Sequence, residues 1–137
     1  MALHLEKVLR HAERELAPAG GARPTDILPL YRKFLRIEEH RVRLKHQAGG
    51  GGRDICSRRR NLVDVLLKHV FGAADNFAQS VGGFSRTPFT LMALGGYGRG
   101  ELNPFSDVDI MFLHPDSVKQ IEFKGERLDL TSIRGWL

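Results

Sequence analysis

The chain has 137 residues, of which 42% are hydrophobic and 27% charged, ordinary proportions for a soluble globular protein with room for one real core. Subtracting 16 Asp and Glu from 21 Lys and Arg leaves +5, and the single cysteine, Cys56, excludes an internal disulfide framework and a cysteine-based zinc site. The apolar runs are too short to cross a membrane, and Glu6, Glu13 and Glu15 interrupt the stretch where a secretory signal would be apolar, so a cytoplasmic protein with no membrane partner is expected.

Leu5, Val8, Leu9, Ala12 and Leu16 recur at helical spacing, predicting a first helix that ends at Pro18 and Gly20-Gly21. Thr25 or Asp26 is placed to cap a second helix, along which Ile27, Leu30, Tyr31, Phe34, Ile37 and Leu44 recur. Pro29 suits it only in the first turn. Gly49 to Gly52 then predict a flexible joint. The longest periodic stretch follows, from Ile55 through Leu62, Leu66 and Val70 to Val81, with a bend allowed at Gly72 and a stop at Gly82-Gly83. His40 and His69 lack a carboxylate or histidine at i+4 and read as structural or exposed.

Beyond residue 84 the texture changes. Residues 89–94 (FTLMAL) and 108–113 (VDIMFL) read as strands around a glycine-rich turn, and QIEFKG and ERLDLTSI read as a hairpin about Lys124-Gly125-Glu126. The expected class is α+β: a helical N-terminal region, 1–83, packed on a small mixed β-sheet in 84–137.

Charge is concentrated in residues 32–60, where ten basic residues face only Glu38, Glu39 and Asp54, a local charge of +7. A solvated helix face with ordinary ion pairs is the simplest reading. Nucleic acid, phosphates or an acidic protein are the other partners such a stretch could meet. No aromatic residue lies between Phe34 and Phe71, which argues against base stacking on a single strand.

Residues 94–113 (LGGYGRGELNPFSDVDIMFL) carry the chemistry. A strand runs into Gly95-Gly96, a short helical turn is expected over Tyr97 to Leu102, and Pro104 stops it. A second strand then opens with Asp107-Val108-Asp109. Strand alternation puts Asp107 and Asp109 on one side and turns Val108 and Ile110 inward. Two carboxylates on one edge repel unless a cation lies between them, and such a pair suits Mg²⁺, which shares its shell with phosphates. Gly95 and Gly96 let backbone N–H groups approach a triphosphate, and Arg99 can reach toward it. A Walker A loop is excluded because Glu101 stands where lysine is required, and a dinucleotide fingerprint because Pro104 forbids the long helix.

GGYGRGELNPFSDVD resembles the nucleotidyltransferase superfamily related to DNA polymerase beta, whose signature is Gly-Gly or Gly-Ser followed, about ten residues on, by Asp-x-Asp. It looks especially like the N-terminal catalytic domain of bacterial PII-protein uridylyltransferases and related signal-transduction nucleotidyltransferases, and HQAGGGGRDICSRRRNLVDVLLKHVF is more weakly similar to their helical lead-in. The resemblance implies that Asp107 and Asp109 bind two catalytic Mg²⁺ ions. It also implies that Gly95, Gly96 and Arg99 contact the triphosphate of UTP or ATP, with the Ser106 hydroxyl nearby. Asp129 is the candidate third carboxylate, although only twenty residues separate it from Asp109 and the helix usual between such strands has no room. Glu101 belongs to the motif without an assigned role, Glu122 is a poorer third carboxylate, and His114-Pro115-Asp116 reads as a turn. The implied reaction moves a nucleoside monophosphate to an acceptor hydroxyl, on a regulatory protein by resemblance, and releases pyrophosphate. The phosphohydrolase and ligand-sensing domains of full-length uridylyltransferases do not fit in 137 residues, so a minimal transferase, a truncated frame or a fragment is expected. Two other readings remain: a nucleotide-binding or regulatory module without catalysis, and a nucleic-acid-binding protein acting through residues 32–60.

Overall fold

The computed structural model describes residues 2–16, 26–81, 90–113, 120–123 and 126–129. The expectations at Pro18, Gly20-Gly21, Thr25, Gly82-Gly83, 114–116 and Lys124-Gly125 lie outside the described residues.

Three helices come first: α1 (Ala2–Glu15), α2 (Leu28–Gln47) and α3 (Gly52–Val81). Their apolar stripes meet in one core, with Val8, Ala12 and Leu16 facing Tyr31 and Phe34 of α2 and Leu62 and Val65 of α3. Phe34 and Leu62 are fully buried, and each such side chain contributes about 1.5–3 kcal/mol. Leu9, Leu30 and Leu44, on the shoulders of the stripes, stay exposed.

The second helix differs from expectation at its start. Ile27, not Asp26, occupies the N-cap position, without a side-chain cap hydrogen bond, and Pro29 falls in the first turn. Ile27 is buried in the core while its carbonyl accepts from the Leu30 and Tyr31 N–H groups, so packing fixes the helix entry.

The glycine run is a compact turn where a flexible joint was expected. Gly49 takes φ +85 and donates to the His46 carbonyl at 3.0 Å, and Gly50 donates to the Lys45 carbonyl at 3.0 Å. These two bonds are the Schellman closure, which satisfies carbonyls a helix end leaves orphaned. A Cβ on Gly50 would sit 2.8 Å from the Lys45 oxygen, so the backbone approach itself demands glycine. Gly51 then accepts from Ile55 in the first turn of α3.

Helix α3 runs through Gly72 unbroken for 30 residues, about 45 Å. It is shared between two cores. Val63 leaves the three-helix cluster and packs with Tyr97 and Leu102, against which Leu67, Val108 and Ile110 also rest. Strand β1 (Thr90–Ala93) leads into α4 (Gly95–Gly98), and β2 (Ile110–Leu113) returns antiparallel to β1 with Ala93 opposite Ile110. Strands β3 (Gln120–Phe123) and β4 (Glu126–Asp129) form a second antiparallel pair, with Gln120 opposite Asp129. The architecture is α+β.

Candidate functional site

The short helix begins two residues before and ends four residues before its expected span of Tyr97 to Leu102, because the chain turns helical directly off β1. Leu94 is extended at the N-cap, and its carbonyl accepts from Gly98 at 2.7 Å. The far end repeats the closure seen after α2. Gly100, at φ +76, donates to Tyr97 at 2.9 Å, and Glu101 donates to Gly96 at 2.9 Å.

Gly95 lies directly against the Asp109 side chain. Gly95 has φ +55, and a Cβ there would lie 2.6 Å from Asp109 Oδ2. The Leu94 N–H donates to the Asp109 carbonyl at 2.9 Å, extending the β1–β2 ladder by one bond and bringing the glycine turn against the carboxylate. The strand itself begins at Ile110, later than the expected Val108, yet alternation holds: Val108 and Ile110 pack inward while Asp107 and Asp109 are exposed.

Three side chains of α3, Asp64, Arg59 and Cys56, hold this turn and the loop that follows it. Tyr97 is buried and its hydroxyl donates to Asp64 Oδ1 at 2.7 Å. Burial first, then the Asp64 carboxylate, pushes the phenol pKa up, so Tyr97 stays a donor across the physiological range. The loop before Asp107 is held by Arg59, whose guanidinium donates to the carbonyls of Asn103 and of Ser106, the latter at 3.2 Å. The Cys56 thiol donates to Asn103 Oδ1 at 3.2 Å.

Of the other expected nucleotide contacts, Arg99 is exposed and lies 3.8 Å from Glu101 Oε2. Ser106 Oγ donates to the Asn103 carbonyl at 2.9 Å. Asp129 is described only as a backbone position at the end of β4. Among the described residues no group of three or more His, Cys, Asp or Glu is placed to hold a metal ion, and no helix is long and apolar enough to cross a membrane. The exposed Asp109 carboxylate set against Gly95, with exposed Asp107 two residues before it, nonetheless fits Mg²⁺, which commonly takes one or two protein carboxylates and completes its shell with water and phosphate oxygens.

Comparison with known proteins bears on this turn directly. Residues 80–137 match the nucleotidyltransferase domain family. The matched segment contains Gly95, Gly96, Asp107 and Asp109. The chain is also similar to bifunctional uridylyltransferase/uridylyl-removing enzymes. That of Azospirillum brasilense is 39% identical over 83 residues, 54% of this chain and 8% of the relative. That of Psychrobacter sp. (strain PRwf-1) is 39% identical over 66 residues, 48% and 6%. That of Azotobacter vinelandii (strain DJ) is 33% identical over 86 residues, 63% and 9%. The chain thus spans less than a tenth of each of these relatives. No solved structure matches it.

Arg59, Cys56, Asp64 and Tyr97 were not legible as site supports. Asp64 and Tyr97 lie 33 residues apart, and Arg59 reads only as part of a basic run. Their one sequence signal is that α3 carries Cys56, Arg59, Val63 and Leu67 at helical spacing, a second stripe beside the core stripe.

Proposed function

We propose that the chain is a metal-dependent nucleotidyltransferase that moves a nucleoside monophosphate from UTP or ATP to an acceptor hydroxyl, on a regulatory protein, and releases pyrophosphate. Residues 84–137 are its nucleotidyltransferase core and 1–83 its helical support. The observation that carries the reading is the Asp109 carboxylate set against Gly95, so close that a Cβ there would displace it. The family match over the same residues and the similarity to uridylyltransferases support it.

In this reading the Gly95 and Gly96 backbone and Arg99 hold the triphosphate, and Ser106 lies beside it. For Arg99 that requires exchanging Glu101 for a phosphate, a small change for an exposed ion pair. Asp107, Asp109 and Asp129 would hold two Mg²⁺ ions, which supply charge neutralisation on the phosphates and a more nucleophilic attacking oxygen when bound. The acceptor oxygen forms a bond to the α-phosphorus as the bond from that phosphorus to the bridging oxygen breaks. The bridging oxygen leaves with pyrophosphate, and Asp129, as the third carboxylate of this reading, would take the acceptor proton. Val108, packed inward between the two carboxylates, fixes their common side.

The test is pyrophosphate release from UTP or ATP with Mg²⁺ and a protein acceptor, compared with Asp107→Asn/Asp109→Asn. Release that falls to background in a folded double variant is expected. Undiminished release there overturns the assignment.

A further inference from the structure

Away from the glycine turn, the three helices enclose a cleft of about 530 Å³. One wall is a stripe on α1, where His4, Lys7, His11 and Arg14 fall at i, i+3, i+7 and i+10, beside the face that buries Val8 and Ala12. Arg41 of α2 and Arg58 of α3 close it opposite, and Glu38 is the one carboxylate among the lining residues. Glu38 is already answered twice: His11 Nδ1 lies 2.5 Å from its Oε1, and Arg41 donates to the same oxygen.

Three of the remaining cations pair with carboxylates outside the lining. Arg10 pairs with Glu6 at 3.0 Å, Arg14 with Glu15 at 3.2 Å, and Arg58 with Asp54 at 2.7 Å. The Arg10 and Arg14 pairs are largely exposed, contribute little and exchange readily for a better anion, while the Arg58–Asp54 pair is half-buried. A second feature belongs to the same cleft: His4, one of its lining residues, has a buried Nδ1 with no hydrogen-bond partner, a condition that native interiors normally relieve with water or a ligand.

We propose that this cleft binds a small phosphate-bearing polyanion, with Lys7, Arg14, Arg41 and Arg58 as its cationic contacts and His4 Nδ1 as a hydrogen-bond donor. The charge fits: five Lys and Arg side chains line the cleft against one carboxylate. The donors fit as well, because guanidinium forks match phosphate oxygens in pairs. The volume exceeds a single phosphate and leaves room for a second charged group. Burial and the Arg58 charge hold the His4 pKa below the usual histidine range, so its imidazole is neutral and able to report an arriving anion. This site is separate from the Gly95–Asp109 turn and stands whether or not that turn transfers nucleotides.

The test is calorimetric titration of sodium pyrophosphate into the full chain in EDTA, which silences any metal-dependent binding elsewhere, at physiological salt. Histidine ring resonances are followed in parallel. One saturable site is expected. The affinity drops about tenfold or more in Lys7→Gln/Arg14→Gln, as expected for losing two charge-assisted contacts. His4 and His11 resonances shift while those of His40 and His69 do not. Both substituted side chains are exposed, and unchanged helical circular dichroism checks the fold. Equal affinity in the double variant, or stationary His4 resonances, overturns the site. Inorganic phosphate binding as tightly as pyrophosphate overturns the polyanion assignment. A short oligothymidylate that displaces pyrophosphate at lower concentration overturns the small-molecule one and makes nucleic acid the occupant.

Discussion

Substituting alanine at Gly95 separates function from folding. The backbone at φ +55 costs an L-residue roughly 1–2 kcal/mol. The new Cβ meets only Asp109 Oδ2, at 2.6 Å. That oxygen ends an exposed side chain, so it can rotate away cheaply, and the clash adds little to the folding cost. What changes is where the Asp109 carboxylate points. Gly95→Ala should therefore unfold only several degrees earlier, the shift expected for roughly 1–2 kcal/mol in a chain of this size, yet lose Mg²⁺-dependent nucleotide binding. Gly98→Ala is the control. Its Cβ would lie 2.6 Å from the Ala93 carbonyl oxygen and 3.0 Å from the carbonyl carbon, backbone atoms that cannot step aside. It should destabilise by about 1–3 kcal/mol or more through overpacking. Thermal melts and calorimetric titration of UTP with Mg²⁺ on both variants decide the matter. Full nucleotide binding by Gly95→Ala would refute the reasoning that this glycine exists to admit the Asp109 carboxylate.

The other expectations concern the scaffold. Glu38→Ala strips the partner from buried His11 and from half-exposed Arg41, and leaving a buried polar group unsatisfied typically costs about 1–3 kcal/mol; a urea midpoint that does not fall would contradict that account. Arg59→Gln frees the Asn103 and Ser106 carbonyls, so amide hydrogen exchange over residues 103–107 should quicken while α1 and α2 stay protected. Stability should also fall on acidification. The folded-state pKa of His4 is depressed below 6.5, so the unfolded chain binds the extra proton. The stabilisation is complete well above 6.5 and drains away as pH falls through that value toward the folded pKa. His4→Gln should flatten this part of the stability–pH profile, and an unchanged slope would assign it to other groups.

Local chemistry was legible in the sequence where it depended on near neighbours. Alternation placed Val108 and Ile110 inward and both aspartates outward, although the strand proper starts at Ile110. The strands expected on either side of Lys124-Gly125 do pair antiparallel. What depended on partners far along the chain was hidden. Glu38 occupies the buried stripe of Tyr31, Phe34 and Val42, and its spacing marks it as an inward carboxylate. Its partner His11 is 27 residues away on another helix. The Gly49–Gly52 run misled for a related reason. Composition records conformational freedom, whereas the Schellman bonds to His46 and Lys45 record how that freedom is used. The end of α4 uses the same device at Gly100, one glycine in a motif otherwise read for phosphate chemistry.

The most direct test of the nucleotidyltransferase reading is a calorimetric titration of UTP into the folded chain with and without Mg²⁺, repeated on Asp107→Asn/Asp109→Asn. Saturable binding that requires Mg²⁺ and disappears in the double variant is predicted. Absence of nucleotide binding by the folded wild-type chain, or equal binding by the double variant, would contradict it.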